Sequence, residues 1–159
     1  MKLGLALREL HRSEKSLARD LRRTAERHQV EHEIYHVALD LAGWSAEHVR
    51  AVAQCAHQYG VHLGEDVPHG KPLAMLRESL SEATGRRPEP GLLLLADLRR
   101  LHRRAAGVSL DWELLAQGGQ AAKKSALVEL AGRCHPQTLR QLKWTNAMLK
   151  ILSPQILTS

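Results

Sequence analysis

Apolar residues recur every three or four positions through four long segments of this 159-residue chain. This spacing places one apolar residue per turn on the same side of an α-helix, and it predicts four amphipathic helices. The sequence therefore predicts an all-α domain in which each helix buries one face. The predicted helices cover residues 2–28, 29–59, 90–117 and 120–152.

Glycine and proline set the predicted ends of these helices. Gly60 is expected to end helix 2, and Gly118-Gly119 predicts a tight turn between helices 3 and 4. In helix 4, Pro136 predicts a kink or a break, and Ser153-Pro154 predicts its end. The long connection 61–90 has room for one short helix at 72–83. It suits a crossover that returns along the whole bundle and joins two helical hairpins.

Two polar residues interrupt the apolar stripes. Glu14 completes the stripe of helix 1, and His48 lies inside the stripe of helix 2. A turn near residues 29–30 brings both side chains to the same level, so we expect them to face each other. A buried carboxylate is very costly without a partner, so the sequence predicts a hydrogen-bonded Glu14–His48 pair.

Two hairpins and one long crossover resemble the ferritin-like four-helix bundle. The resemblance implies a di-iron centre with Glu on helices 1 and 3 and Glu-x-x-His on helices 2 and 4. Glu14 and His48 match two of these six ligands, but Ser45 stands where helix 2 should carry its Glu. The corresponding residues of helices 3 and 4 are Leu101, Ala105, Val108, Cys134, His135 and Thr138.

The resemblance therefore implies a bundle whose metal centre is incomplete. A non-catalytic binding, scaffolding or assembly role is favoured, in a homodimer formed through a helix face and without a cofactor. The alternative is a metal-binding protein or metal-dependent oxidoreductase that holds iron or zinc with Glu14, His48 and His135.

A literal Glu-x-x-His motif, Glu33 to His36, also occurs in helix 2. Its helical phase lies away from the stripe, so we expect a solvated face there. Together with His28 and His32, His36 forms a ladder at four-residue spacing, which we expect on the outside of helix 2.

Charge and cysteine content bear on the remaining classes. The net charge is +6, and helix 3 carries a basic strip, so nucleic-acid binding through that strip is a second alternative. The two cysteines lie inside helical patterns, which favours reduced thiols in a cytoplasmic protein. The apolar run 3–7 is too short for a membrane span or a signal peptide. The basic strip of helix 3 consists of Arg99, Arg100, Arg103 and Arg104.

Overall fold

Four helices account for most of the residues that the computed structural model describes, which are 2–69 and 89–159. They are α1 (Leu3–Arg27), α2 (His32–His57), α3 (Pro90–Ala121) and α4 (Ser125–Thr158). These ranges contain no strand, which confirms the all-α prediction. The short helix predicted at 72–83 lies outside the described residues.

Each helix packs against two others. α1 contacts α2 and α3, and α4 also contacts α2 and α3. The short connection 28–31 makes α1 and α2 run in opposite directions. Trp112 bonds to Glu14 and Asp97 bonds to Arg27, so α1 and α3 also run in opposite directions. It follows that α2 and α3 are parallel, so the end of α2 and the start of α3 lie at opposite ends of the helices.

Residues 61–67, directly beyond the end of α2, lie along α1. Val61 and Val67 are buried, and the backbone between them is tied to α1 by two side chains. His11 Nε2 donates to the carbonyl of Gly64 at 2.7 Å, and Arg22 Nη1 donates to that of Val67 at 3.3 Å. We call residues 61–67 the strap.

Leucine and alanine side chains from all four helices form the core, together with one large aromatic ring. Val30 falls inside the predicted range of helix 2, 29–59, but it is 85% exposed, because α2 begins only at His32. None of the described helices combines the length and apolar character that crossing a bilayer requires. The largest fully buried apolar side chains are Trp112, Leu7, Leu10, Leu17, Leu21, Leu98, Leu101, Leu115, Leu127 and Leu130.

The turn predicted at Gly118-Gly119 is wrong, because α3 continues through both glycines to Ala121. Both positions are needed for close packing. A Cβ on Gly119 would lie 2.9 Å from Cβ of Leu127 in α4, and one on Gly118 would lie 2.8 Å from Leu3 in α1. The chain reverses at Lys123, which takes a left-handed φ of 54°.

Proline also fails to end α4 where the sequence suggested. The helix continues past Pro136 and Pro154 to Thr158, so the predicted end at Ser153-Pro154 is wrong, as is a break at Pro136. Pro136 is exposed, and so is Gly132, whose carbonyl loses its helical donor and can bond to water instead. The last turn packs on α3, where Ile156 closely approaches Gly91.

Replacing Gly119 with alanine should lower the free energy of unfolding by about 1–3 kcal/mol, because the added methyl group overpacks the contact with Leu127. Gly107 is the matched control, since it lies in the same helix with no atom within 4 Å of an added Cβ. Gly107→Ala should stabilise the protein by about 0.5–1 kcal/mol through helix propensity. Urea unfolding followed by circular dichroism measures both, and equal effects would contradict the packing role.

Candidate functional site

A fully buried carboxylate, that of Glu14, lies at the centre of the helices. Its Oε1 accepts a hydrogen bond from His48 Nδ1 at 2.8 Å and another from Trp112 Nε1 at 2.8 Å. The structure thus brings together Glu14 and His48, the two residues that the stripes placed level. The His48 ring also meets the Trp112 ring edge-on, with centroids 5.8 Å apart. We call these three residues the polar centre.

The second ring nitrogen of His48 also has a partner. Nε2 donates to Oε1 of Gln137, on α4, at 2.6 Å. With the amide oxygen of Gln137 turned toward the ring, both ring nitrogens face acceptors, and the protonated imidazolium donates to both. Burial lowers the pKa of His48, but the hydrogen bond and charge of Glu14, the bond to Gln137 and the charge of Glu47 outweigh it and raise the pKa above its usual value. The polar centre is therefore best described as a buried ion pair.

A second polar contact between α2 and α4 lies near the polar centre. Gln141 Nε2 donates to the carbonyl of Leu41 and to Oγ of Ser45, both at 3.0 Å. Ser45 stands where the ferritin-like pattern would have a metal-binding Glu, and here it accepts an amide hydrogen instead. Three buried side-chain oxygens make no hydrogen bond within the described ranges: Glu14 Oε2, Thr138 Oγ1 and Gln141 Oε1.

His135, the third predicted ligand, does not join this group. It follows Cys134 by one position, which turns it about 100° around the helix toward α3. There its Nε2 lies 2.8 Å from Oγ of Ser109 and its Nδ1 lies 3.9 Å from Glu113. Residues 2–69 and 89–159 gather no set of three or more His, Cys, Asp and Glu side chains around one point that could hold a metal.

Cys134 is buried and close enough to Glu14 to feel its charge. Burial, followed by the charge of Glu14, raises the pKa of the thiol to about 12. The side chain is therefore a neutral thiol at physiological pH, whereas cysteine binds metals as the thiolate.

Two members of this arrangement were missed by the sequence analysis. Trp112 follows the apolar spacing of helix 3, and that spacing gives no sign that its indole N–H donates to Glu14. Gln137 was not considered at all, although it precedes Thr138 of the helix 4 stripe and lies on the flank that faces α2. An available signal was the buried carboxylate itself, which needs more than one donor.

The outward-facing motif was predicted correctly in part. Glu33, His32 and His36 are exposed, and the two histidine rings stack with centroids 6.5 Å apart. His28, however, was wrongly placed on the outside with them. It is buried, and its Nε2 donates to Oδ2 of Asp97 at 2.8 Å, because it caps the end of α1 beside α3.

Asp97 is the acceptor of a second buried charge cluster. Arg27 donates to both of its oxygens at 3.0 and 3.1 Å, and Arg100 donates to Oδ1 at 3.1 Å. Burial raises the pKa of Asp97, but His28, Arg27 and Arg100 outweigh it and hold the pKa below its usual value. The cluster joins α1 to α3 and leaves every atom of the carboxylate bonded.

The basic strip of helix 3 is partly neutralised. Arg100 bonds to Asp97, and Arg104 Nε donates to Asp20 at 2.8 Å. These two side chains therefore serve the contact between α1 and α3, which leaves Arg99 and Arg103 as the exposed members outside these contacts.

No protein-family model matches the chain, and comparisons with curated proteins and with solved structures give no match either. Any assignment of function therefore depends on the contacts of the polar centre and on the surface.

The raised pKa of His48 predicts how stability depends on pH. Its protonation contributes stability that is complete below its unfolded pKa of about 6.5 and is lost as the pH rises through the higher folded value. Urea midpoints should therefore fall as the pH is raised above about 6.5. His11 acts in the opposite direction and only at lower pH, because burial lowers its pKa. A His48→Gln variant should lose the slope above pH 6.5, and an unchanged slope would contradict the ion pair.

Proposed function

We propose that this chain is a ferritin-like four-helix bundle in which a hydrogen-bonded ion pair occupies the place of the di-iron centre. Its role is non-catalytic, in binding, scaffolding or assembly. The observation that carries this proposal is that one oxygen of Glu14 accepts both the His48 and the Trp112 N–H groups, each at 2.8 Å. Groups that would bind a metal in a ferritin-like enzyme are thus bonded to each other.

The path of the chain supports the ferritin-like assignment. The hairpins α1–α2 and α3–α4 pack against each other, and the parallel directions of α2 and α3 require a long crossover. The strap begins that crossover alongside α1. Up-down bundles with short loops have no such connection, whereas the ferritin-like bundle has one.

The oxygen and nitrogen atoms that could act as metal ligands in the polar centre do not match the ligand set of a di-iron centre. Such a site takes four carboxylates and two imidazoles, but here Glu14 is the one carboxylate in the polar centre. His48 has no free nitrogen lone pair, because both nitrogens donate to oxygen atoms. The inward residues of α3 that would carry the third-helix ligand are apolar and buried: Leu101, Ala105 and Val108.

A second candidate function, metal binding by a reduced ligand set in the core, draws support from a different observation. Glu14 Oε2 and Thr138 Oγ1 are buried without a hydrogen-bond partner in the described part of the chain. A cation or a water molecule is the kind of group that satisfies such oxygens. Iron or zinc would also require His48 to lose a proton and turn away from Gln137.

Metal loading separates the two candidates. The untagged protein is incubated with Zn²⁺, or with Fe²⁺ without oxygen, then gel-filtered and analysed for metal. The His32→Ala/His36→Ala variant is used throughout, because this exposed pair can bind zinc on the surface. We expect much less than one metal ion per chain. One metal ion per chain that disappears in Glu14→Gln would overturn the proposal in favour of core metal binding.

The assembly role includes a homodimer formed through a helix face. Leu110 and Leu114 lie one turn apart on α3, and each is 66% exposed. Contact with a second copy of the chain would remove this apolar surface from water. Sedimentation equilibrium should give twice the 17.8 kDa of one chain, and a single-chain mass at micromolar concentration would refute the dimer.

A further inference from the structure

Four basic residues form a line along the outer side of α1. Arg8, Arg12, Lys15 and Arg19 follow one another at intervals of four, three and four residues, which keeps them on one face of the helix. At a rise of about 1.5 Å per residue, the line is roughly 16 Å long. We call these residues the α1 stripe.

The strap turns this line into one side of a groove. Its backbone is fixed to α1 by the hydrogen bond from His11 to Gly64, and Val61 and Val67 anchor its two ends in the core. Leu63 and His11 lie beside the α1 stripe and bound with it a concave space of about 320 Å³. The basic groups therefore line a fixed groove of the protein.

Within the part of the chain that the structure describes, the charges of the α1 stripe are mostly uncompensated. Arg12 pairs with Glu9 at 2.9 Å, but both side chains are well exposed, and such pairs contribute little. Within the described residues, Arg8, Lys15 and Arg19 form no ion pair. The strip of helix 3 differs, because two of its four arginines are bonded to the buried carboxylates of Asp97 and Asp20. The α1 stripe is thus the better site for an outside anion.

The chemistry of the groove selects the kind of anion. Guanidinium groups bind phosphate oxygens through paired N–H donors, and a linear array suits a chain of phosphates. Among the described residues, those bounding the groove include no aromatic ring on which a base could stack, apart from the buried His11, which leaves the phosphates as the groups to be bound. The basic residues lie in a single line along α1, and one line of cations matches the phosphates of one nucleic-acid strand. We propose that the α1 groove binds the phosphate backbone of single-stranded nucleic acid without reading its bases.

Salt dependence provides the first measurement. Anisotropy of a fluorescein-labelled dT 20-mer is titrated with the full chain between 50 and 200 mM NaCl. Four phosphate contacts on a single strand predict a slope of about −2.8 for log K against log salt concentration. Absence of binding, or affinity independent of salt, would overturn the proposal. So would tighter binding of a duplex of equal length.

Two charge-matched variants locate the site. Arg8→Gln/Arg19→Gln and Arg99→Gln/Arg103→Gln each lower the net charge of +6 by two. Only the first should reduce affinity, on the order of tenfold, and bring the slope to about −1.4. Equal losses in both would show that overall charge, and not the groove, governs binding. Arg8→Lys/Arg19→Lys should retain the slope, and its circular dichroism spectrum checks that the helices remain intact.

Discussion

Replacing Glu14 with alanine should lower the free energy of unfolding by about 3–5 kcal/mol, which is a large share of the stability of a domain of this size. The substitution removes the acceptor of both His48 Nδ1 and Trp112 Nε1, and water cannot easily replace it because all three side chains are buried. An imidazolium without its anion is the most costly part of the loss. Urea unfolding at pH 6.5, followed by circular dichroism, measures the change.

A double-mutant cycle tests whether this cost belongs to the pair. Glu14→Leu and His48→Leu should each destabilise strongly, whereas the double variant should cost less than their sum by about 1–3 kcal/mol. Glu9→Ala is the matched control, because Glu9 lies on the same helix in an exposed ion pair, and its effect should stay within about 0.5 kcal/mol. If Glu14→Leu folds with no loss of stability, the polar centre is not required by the fold.

The second large effect is expected at Asp97. Asp97→Ala should also cost about 3–5 kcal/mol, because it leaves Arg27 and His28 close together in a buried place without a counter-charge. Glu113→Ala, an exposed acid on the same helix, should change stability by about 0.5 kcal/mol or less. A loss below about 1 kcal/mol for Asp97→Ala would mean that the cluster relaxes into solvent.

The dependence of stability on acidic pH separates the contribution of the Asp97 charge from a purely steric contribution of its side chain. Its pKa is lowered in the folded protein, so the carboxylate contributes stability above its unfolded pKa of about 3.9. That contribution is lost as the pH falls through the lower folded value. Asp97→Asn keeps the shape, and it should flatten this acidic limb of the stability curve.

The sequence was sufficient for the features that depend on one helix or one short turn. The spacing of Leu10, Glu14 and Leu17 showed that a carboxylate faces the core, and the short connection after α1 set its level against His48. Residues joined across the two hairpins were beyond this reasoning. Trp112 is 98 positions from Glu14, so their contact depends on how far α3 is shifted along α1, which no local pattern fixes.

Local signals failed where packing overrides backbone preference. The Gly118-Gly119 pair predicted a turn, but in the structure the absence of side chains there lets α3 pack closely against its neighbours. Pro136 predicted a kink or a break. Its missing backbone hydrogen bond lies on the exposed side of α4, and the free energy lost there is small compared with that gained by burying the rest of the helix. His28 was predicted to be exposed to solvent, because nothing in its own helix indicates its partner Asp97, which comes from a distant part of the chain.

The polar centre and its partner Gln137 draw on both hairpins, with Glu14 and His48 from one and Trp112 and Gln137 from the other. Leucine and alanine stripes alone allow two hairpins to slide past each other by one turn, about 5.4 Å, and still bury apolar surface. Such a slide would separate the Trp112 indole and the Gln137 amide from their hydrogen-bond partners. The Glu14–His48 ion pair would then lie among apolar side chains without these bonds. The cost of that mismatch selects a single axial alignment, so these four side chains give a core of interchangeable leucines its unique register.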